Sequence, residues 1–214
     1  VLLTPNPGEI VINQFSPAYN GASDEYIELL NKTGQSIDLS TLKIAYQSAS
    51  GNAGSAGGNL TGILGPYQFW LLSPNSTITA GQTTALPRDG MITAGMASTS
   101  GQLALRLKNA PNTIIDGVAY GTITVNNLGE GTPVPSPLPL GGYARIPDGT
   151  DSNNNISDIT LVQNSAIYLR NSSSLFITGN YTLPVLSYTN ITLSGSFPEV
   201  TLSGSTVLGG SLTI

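Results

Sequence analysis

Residues Asp148-Gly-Thr-Asp151-Ser-Asn153-Asn-Asn155-Ile-Ser-Asp158 place side-chain oxygens at alternate positions. That is a spacing a hard cation such as calcium accepts. The twelve-residue calcium-loop template then fails. Ile156 stands where it needs Gly, and Val162 where it needs Glu. Two readings remain: a loop whose Asp and Asn side chains bond its own backbone, or a calcium site held by Asp148, Asp151, Asn153, Asn155 and Asp158. Asp24, Glu25 and Glu28 are the carboxylates that glycosidase chemistry would use. On a strand, however, Glu25 and Glu28 point to opposite faces, and no aromatic cleft is evident around them. Tyr67, Phe69 and Trp70 offer rings for sugar stacking. Tyr67 and Phe69 share one strand face. Trp70, the single Trp, is expected to fill the core.

What the chain lacks narrows the chemistry further. It has no Cys and no His. This removes thiol nucleophiles, Ser-His-Asp triads, common zinc sites and imidazole acid–base catalysis. Seven Lys plus Arg against twelve Asp plus Glu leave a net charge of −5 and no basic patch, so nucleic acid is not an expected partner. No run of 18 apolar residues exists to span a bilayer as a helix. The opening Val1-Leu2-Leu3-Thr4-Pro5 has no Met and reads as a processed or trimmed start. Charged residues are only 9% of the chain, and surface polarity must come from hydroxyls and amides. That balance is expected of an extracellular or cell-surface protein. Seven Asn-X-Ser/Thr sequons, at Asn31, Asn59, Asn75, Asn155, Asn171, Asn180 and Asn190, are acceptors for N-linked glycans if the chain is secreted by a cell that makes them. The alternative is that Asn and hydroxyl residues simply crowd the loops.

The elements that must position these residues are strands. No stretch carries a sustained helical stripe, and 25 Gly and 14 Pro punctuate the chain. Strands are expected at Glu9–Phe15, Tyr26–Asn31, Leu42–Gln47, Gln68–Ser73, Leu103–Lys108, Ile114–Tyr120, Ile159–Gln163 and Ala166–Arg170. More follow at Leu175–Thr178, Ile191–Leu193, Val200–Leu202 and Ser211–Ile214. Leu103, Leu105 and Leu107 alternate with Arg106 and Lys108, the pattern of a strand with one buried face. Short strands at this spacing predict an all-β sandwich. Ser48–Gly58, Gly129–Gly142 and Pro147–Asp158 are expected as loops, the first a flexible insertion.

Six segments, in order, resemble the lamin tail domain in its secreted prokaryotic form. They are Ile10-Val-Ile-Asn13, Asp24-Glu-Tyr-Ile-Glu-Leu29, Asn31-Lys-Thr-Gly-Gln-Ser-Ile-Asp-Leu-Ser40, Leu64-Gly-Pro-Tyr-Gln-Phe-Trp70, Ile115-Asp-Gly-Val-Ala-Tyr-Gly121 and Arg145-Ile-Pro-Asp-Gly-Thr-Asp151. Thr41 departs from the pattern, standing where the family has Gly-Trp. The resemblance implies an immunoglobulin-like β-sandwich over residues 8–160, preceded by an arm at 1–7. It implies a binding or structural module with no enzymatic activity and no required cofactor.

Residues 161–214 lie outside that resemblance and read as an additional C-terminal β-rich segment. From Leu175 onward there is no Lys or Arg, and Thr-Leu-Ser-Gly-Ser occurs at 192 and again at 201. Edge strands without charged or Pro guards invite pairing with another chain. Val200, Leu202, Val207, Leu212 and Ile214 are therefore expected to mediate assembly of copies by donor-strand addition; the alternatives are that Val1-Leu2-Leu3 is the donor, or that the tail forms its own small sheet within the chain. The expected role is a structural or adhesive surface module that forms a filament. A carbohydrate-binding module is the alternative.

Overall fold

The computed structural model describes residues 3–82, 84–164 and 167–173, together with the backbone of short strands between 174 and 213. Ten strands form the two main sheets: β1 (Ile10–Ser16), β2 (Tyr26–Asn31), β3 (Leu42–Ser48), β4 (Ala53–Asn59), β5 (Phe69–Ser73), β6 (Gly90–Met91), β7 (Gly101–Leu107), β8 (Ile114–Tyr120), β9 (Gly141–Arg145) and β10 (Ile159–Gln163). A six-stranded sheet runs β6-β5-β2-β1-β9-β10 and a four-stranded sheet runs β8-β7-β3-β4. All neighbours are antiparallel except β6 and β5.

Alternation decides which side chains meet between the sheets. Ile27 and Leu29 of β2 join Leu103 and Leu105 of β7 in the main core, while Tyr26 and Leu30 face the other way. The aromatic centre is Phe15, Tyr120 and Tyr143, with Phe15 and Tyr143 stacked at 4.6 Å between centroids. Trp70 is not in that centre. It lies half-buried at the rim of the core, its indole against Gly62 and Gly90. A Cβ on Gly62 would overlap the ring, and one on Gly90 would crowd Leu72 and the indole nitrogen.

β1 and β2 are buried along their whole length. The reason is a second apolar layer on the outer face of the six-stranded sheet, where Tyr26, Leu71 and Ala144 meet Ile78, Ile167 and Leu169. A sheet covered on both faces needs Ile, Val and Leu at odd and even positions alike, as Ile10-Val-Ile and Ile27-Glu-Leu-Leu30 provide.

Four expectations are corrected. Ser48–Gly58 is no flexible insertion: most of it is β4, a hairpin partner of β3. Its Ala, Gly and Ser composition hides it from strand propensity, yet the small residues are needed, because a Cβ at Gly54 would sit 2.4 Å from the Tyr46 ring. The end of the Pro-rich loop, Gly141 and Gly142, opens β9. A boundary near residue 160 cuts β10, which pairs with β9 over Gly141–Arg145, so the body continues past it. The arm is also part of the body: Leu3 bridges Ile37, and Gly8 N donates to Ile115 O.

The tail has its own pattern. Strands β11 (Ser174–Ile177), β12 (Tyr181–Leu183), β13 (Ser187–Tyr188), β14 (Asn190–Leu193), β15 (Val200–Leu202), β16 (Val207–Leu208) and β17 (Leu212–Thr213) follow one another. Each pairs, in parallel, with the third strand on: β11 with β14, β12 with β15, β13 with β16, β14 with β17. Three strands per turn, stacked turn on turn, is a solenoid arrangement.

Candidate functional site

Arg145 ends β9 two residues after Tyr143, on the same inward face, and is 1% exposed. Its Nη2 donates to Asp116 Oδ1 at 2.8 Å, its Nε to Ile12 O at 3.1 Å and its Nη1 to Thr150 O at 2.5 Å. Asp151 and Asp158 lie 3.7 and 3.6 Å from Nη1. Glu130 closes the group: oxygens of Asp116, Glu130 and Asp151 fall within 4.8 Å of one another. Burial, then the charges of Asp116 and Asp151, push Glu130 up to about 8. Glu130 thus holds its proton more readily than an ordinary glutamate, while the Arg145 guanidinium faces Asp116, Asp151 and Asp158.

The five residues expected to hold calcium do not act together. Both oxygens of Asp158 accept from Ser152, and Oδ2 also accepts from Asn154 N. Burial alone would raise Asp158, but these bonds and Arg145 outweigh it and hold the carboxyl below its usual value. Asn155 Oδ1 accepts from Ala119 N and Glu130 N, and its Nδ2 donates to Gly117 O. Asp148 is bound to Arg170 and Asn13. Asn153, exposed and at φ 59, donates its backbone N–H to Asp151 Oδ1. The oxygens face N–H groups and guanidinium groups. The self-bonded reading describes this loop, and Asp151 alone of the five belongs to the converging carboxylates.

A second network sits on the outer face. Glu28 Oε1 accepts from Arg170 Nη2 at 3.0 Å and from Asn13 Nδ2 at 3.0 Å, and Oε2 accepts the Arg170 backbone N–H at 2.6 Å. Asp148 takes both Arg170 Nη1 and Nη2. Glu25, on the inner face, accepts from the N–H groups of Gly95 and Met96. Burial pushes it up to about 7 against those bonds. Asp24 sits in a short 3-10 turn. These acids are bound into framework contacts, not paired around a cleft.

Among the sequons, Asn59 and Asn75 are exposed. Asn31 is fully buried, its Nδ2 bonded to Gln35 O and Gly65 O. Asn155 is equally buried, and Asn171 Nδ2 donates to Pro87 O. In the folded chain the side chains of Asn31, Asn155 and Asn171 are thus buried, while those of Asn59 and Asn75 face solvent. Asn180 and the side chain of Asn190 lie outside the described residues. Of the assembly residues, Val200, Leu202, Val207 and Leu212 fall in tail strands paired within the chain; Ile214 lies outside the described residues. Phe69 is buried beneath Arg170, whose Cζ is 3.9 Å from the ring centroid. Tyr67, at φ 53, lines a cleft of about 280 Å³ with Lys32, Asp148 and Thr150.

Sequence reasoning passed over both arginines. A signal existed: each interrupts an apolar run, Tyr143-Ala144-Arg145 and Tyr168-Leu169-Arg170, in a chain with only seven cations. A cation inside a buried strand requires a buried carboxylate.

A family model for the lamin tail domain matches residues 4–122, more than half of the 214. The chain belongs to the lamin tail domain family. The two packed sheets are its immunoglobulin-like β-sandwich, and the family is a structural one. No curated protein matches the chain. The lamin tail domain match ends at β8, whereas β9, β10 and both arginines lie beyond it.

Proposed function

We propose that this lamin tail domain protein is a non-enzymatic extracellular module that joins copies of itself by strand addition, building a filament or surface layer. One observation carries the reading. Among the described residues, β15, β16 and β17 are hydrogen-bonded along one edge only, in a stretch with no Lys or Arg. Main-chain groups on the other edge are a template for a further strand. The sandwich offers less. The outer edge of β8 is closed from within by Gly8, Asn155 and Val134. Hydroxyl-rich surfaces, and glycans at Asn59 and Asn75, would keep such an assembly soluble outside the cell.

The carbohydrate-binding alternative needs several exposed rings on one face. Tyr67 lines the one cleft noted above, but Phe69 is buried and Trp70 half-buried. Electron microscopy and light scattering of the full chain, and of a chain ending at residue 199, test the main reading. Filaments from the full chain and monomers from the shortened one are expected. Equal assembly by both overturns it.

A further inference from the structure

Residues 167–173 cross the outer face of the six-stranded sheet without joining it. Several of their backbone groups are met by side chains instead. Gln14 Nε2 donates to Tyr168 O at 2.7 Å, Gln82 Nε2 to Leu169 O at 3.1 Å and Gln68 Nε2 to Ser172 O at 3.0 Å. Glu28 receives Arg170 N, and Asp89 Oδ2 receives Ser172 N at 2.9 Å. Ile167 and Leu169 are buried in the outer apolar layer, while Tyr168 between them is 55% exposed. Arg170 then enters a pocket floored by Phe69 and walled by Glu28 and Asp148, with Asn13 Nδ2 bonded to both carboxylates. A strand added to an edge is held by main-chain bonds and tolerates many sequences. This segment is held by side chains and by one pocket shaped for a planar, forked cation.

We propose that this face is a recognition groove for an arginine-bearing peptide, with residues 167–173 as its ligand in cis. The groove selects the pattern apolar, any, apolar, Arg, and Arg170 is the residue it reads. The tail's first strand begins at Ser174, directly after the bound segment. Occupancy of the groove therefore sets whether the tail is held against the sandwich. The proposal stands whether or not the chain assembles.

Hydrogen exchange on the full chain tests it. In Arg170→Ala the amides of Arg170 and Ser172 should exchange at least ten-fold faster, with those of β1 and β2 changed less than two-fold. Arg170→Lys should behave closer to Ala than to Arg, since an ammonium cannot bridge both carboxylates and stack on Phe69. A synthetic peptide of residues 164–174 should then bind the Arg170→Ala chain and not the unaltered one, whose groove is filled. The same peptide with Ala for Arg should bind at least ten-fold more weakly. Equal acceleration of the segment and the sheet would overturn the proposal, because the segment would then be inseparable from the core. So would failure of the peptide to bind a variant whose segment exchanges fast, or equal binding of both peptides. Should Arg170→Ala not fold, Arg170→Lys, which keeps a cation beside Glu28 and Asp148 and leaves the groove's own residues intact, takes its place, and the same measurements apply.

Discussion

Asp116 and Arg145 join the two sheets through a bond that neither sheet's ladder supplies. Asp116 lies in β8 of the four-stranded sheet and Arg145 in β9 of the six-stranded one, with Nη2 and Oδ1 2.8 Å apart and both side chains fully buried. Asp116 Oδ2 also accepts Ile12 N at 2.5 Å, so one carboxylate ties β8 to both β1 and β9.

Removing one partner leaves the other charge stranded in the core. Arg145→Ala should cost about 3–5 kcal/mol of stability, read from urea unfolding. Asp116→Leu with Arg145→Leu should cost clearly less than the two single changes added together, because neither charge is then left alone. Additive costs would show that the pair does not act as a unit.

Stability should fall as pH rises from about 4.5 to 7. Folded Glu25 keeps its proton up to about 7, whereas its ordinary value is 4.5. Between those values the folded chain holds more protons than the unfolded one, so raising pH favours unfolding. Glu130 acts in the same direction up to about 8. Unfolding midpoints at pH 5, 6, 7 and 8 should decline in the unaltered chain and flatten when Glu25→Gln and Glu130→Gln are combined.

In a glycosylating host, the folded secreted chain should carry sugar at Asn59 and Asn75 and none at Asn31, Asn155 or Asn171. Glycopeptide mass spectrometry reads this directly. Sugar at Asn155 would contradict its bonds to Gly117 and Ala119.

Gly117→Ala should destabilise by about 1–3 kcal/mol, the range for overpacking a core. A Cβ there would stand 1.9 Å from Leu128 O, where the 126–134 segment closes over β8. Thermal melting compares it with Gly58→Ala, where the added carbon meets nothing within 4 Å, though φ there is +142 and brings its own backbone strain.

The sandwich was readable from strands that alternate, such as Leu103-Ala-Leu-Arg-Leu107, and from the six ordered family segments. β4 was not, because nothing in Ala53-Gly-Ser-Ala-Gly-Gly-Asn59 has strand propensity, and its place is set by Tyr46 across the hairpin. Ala166–Arg170 alternates like a strand, but Ile167–Arg170 forms no ladder, because side chains from β1, β2 and the 82–89 region take its backbone groups first. The Asp-rich loop announced its oxygens but not their partners. Those are Arg145 and Arg170, brought close only by folding, together with N–H groups of β8 and of the loop itself.

The third-strand pairing of the tail has a mechanical consequence. Tyr181 lies beside Val200, Ser187 beside Val207 and Ile191 beside Leu212, offsets of 19, 20 and 21 residues. Each turn lifts the tail by one strand spacing, about 4.8 Å, yet stores enough chain to reach roughly 65 Å when drawn straight. Pulled from its far end, a turn that comes free would lengthen more than ten-fold.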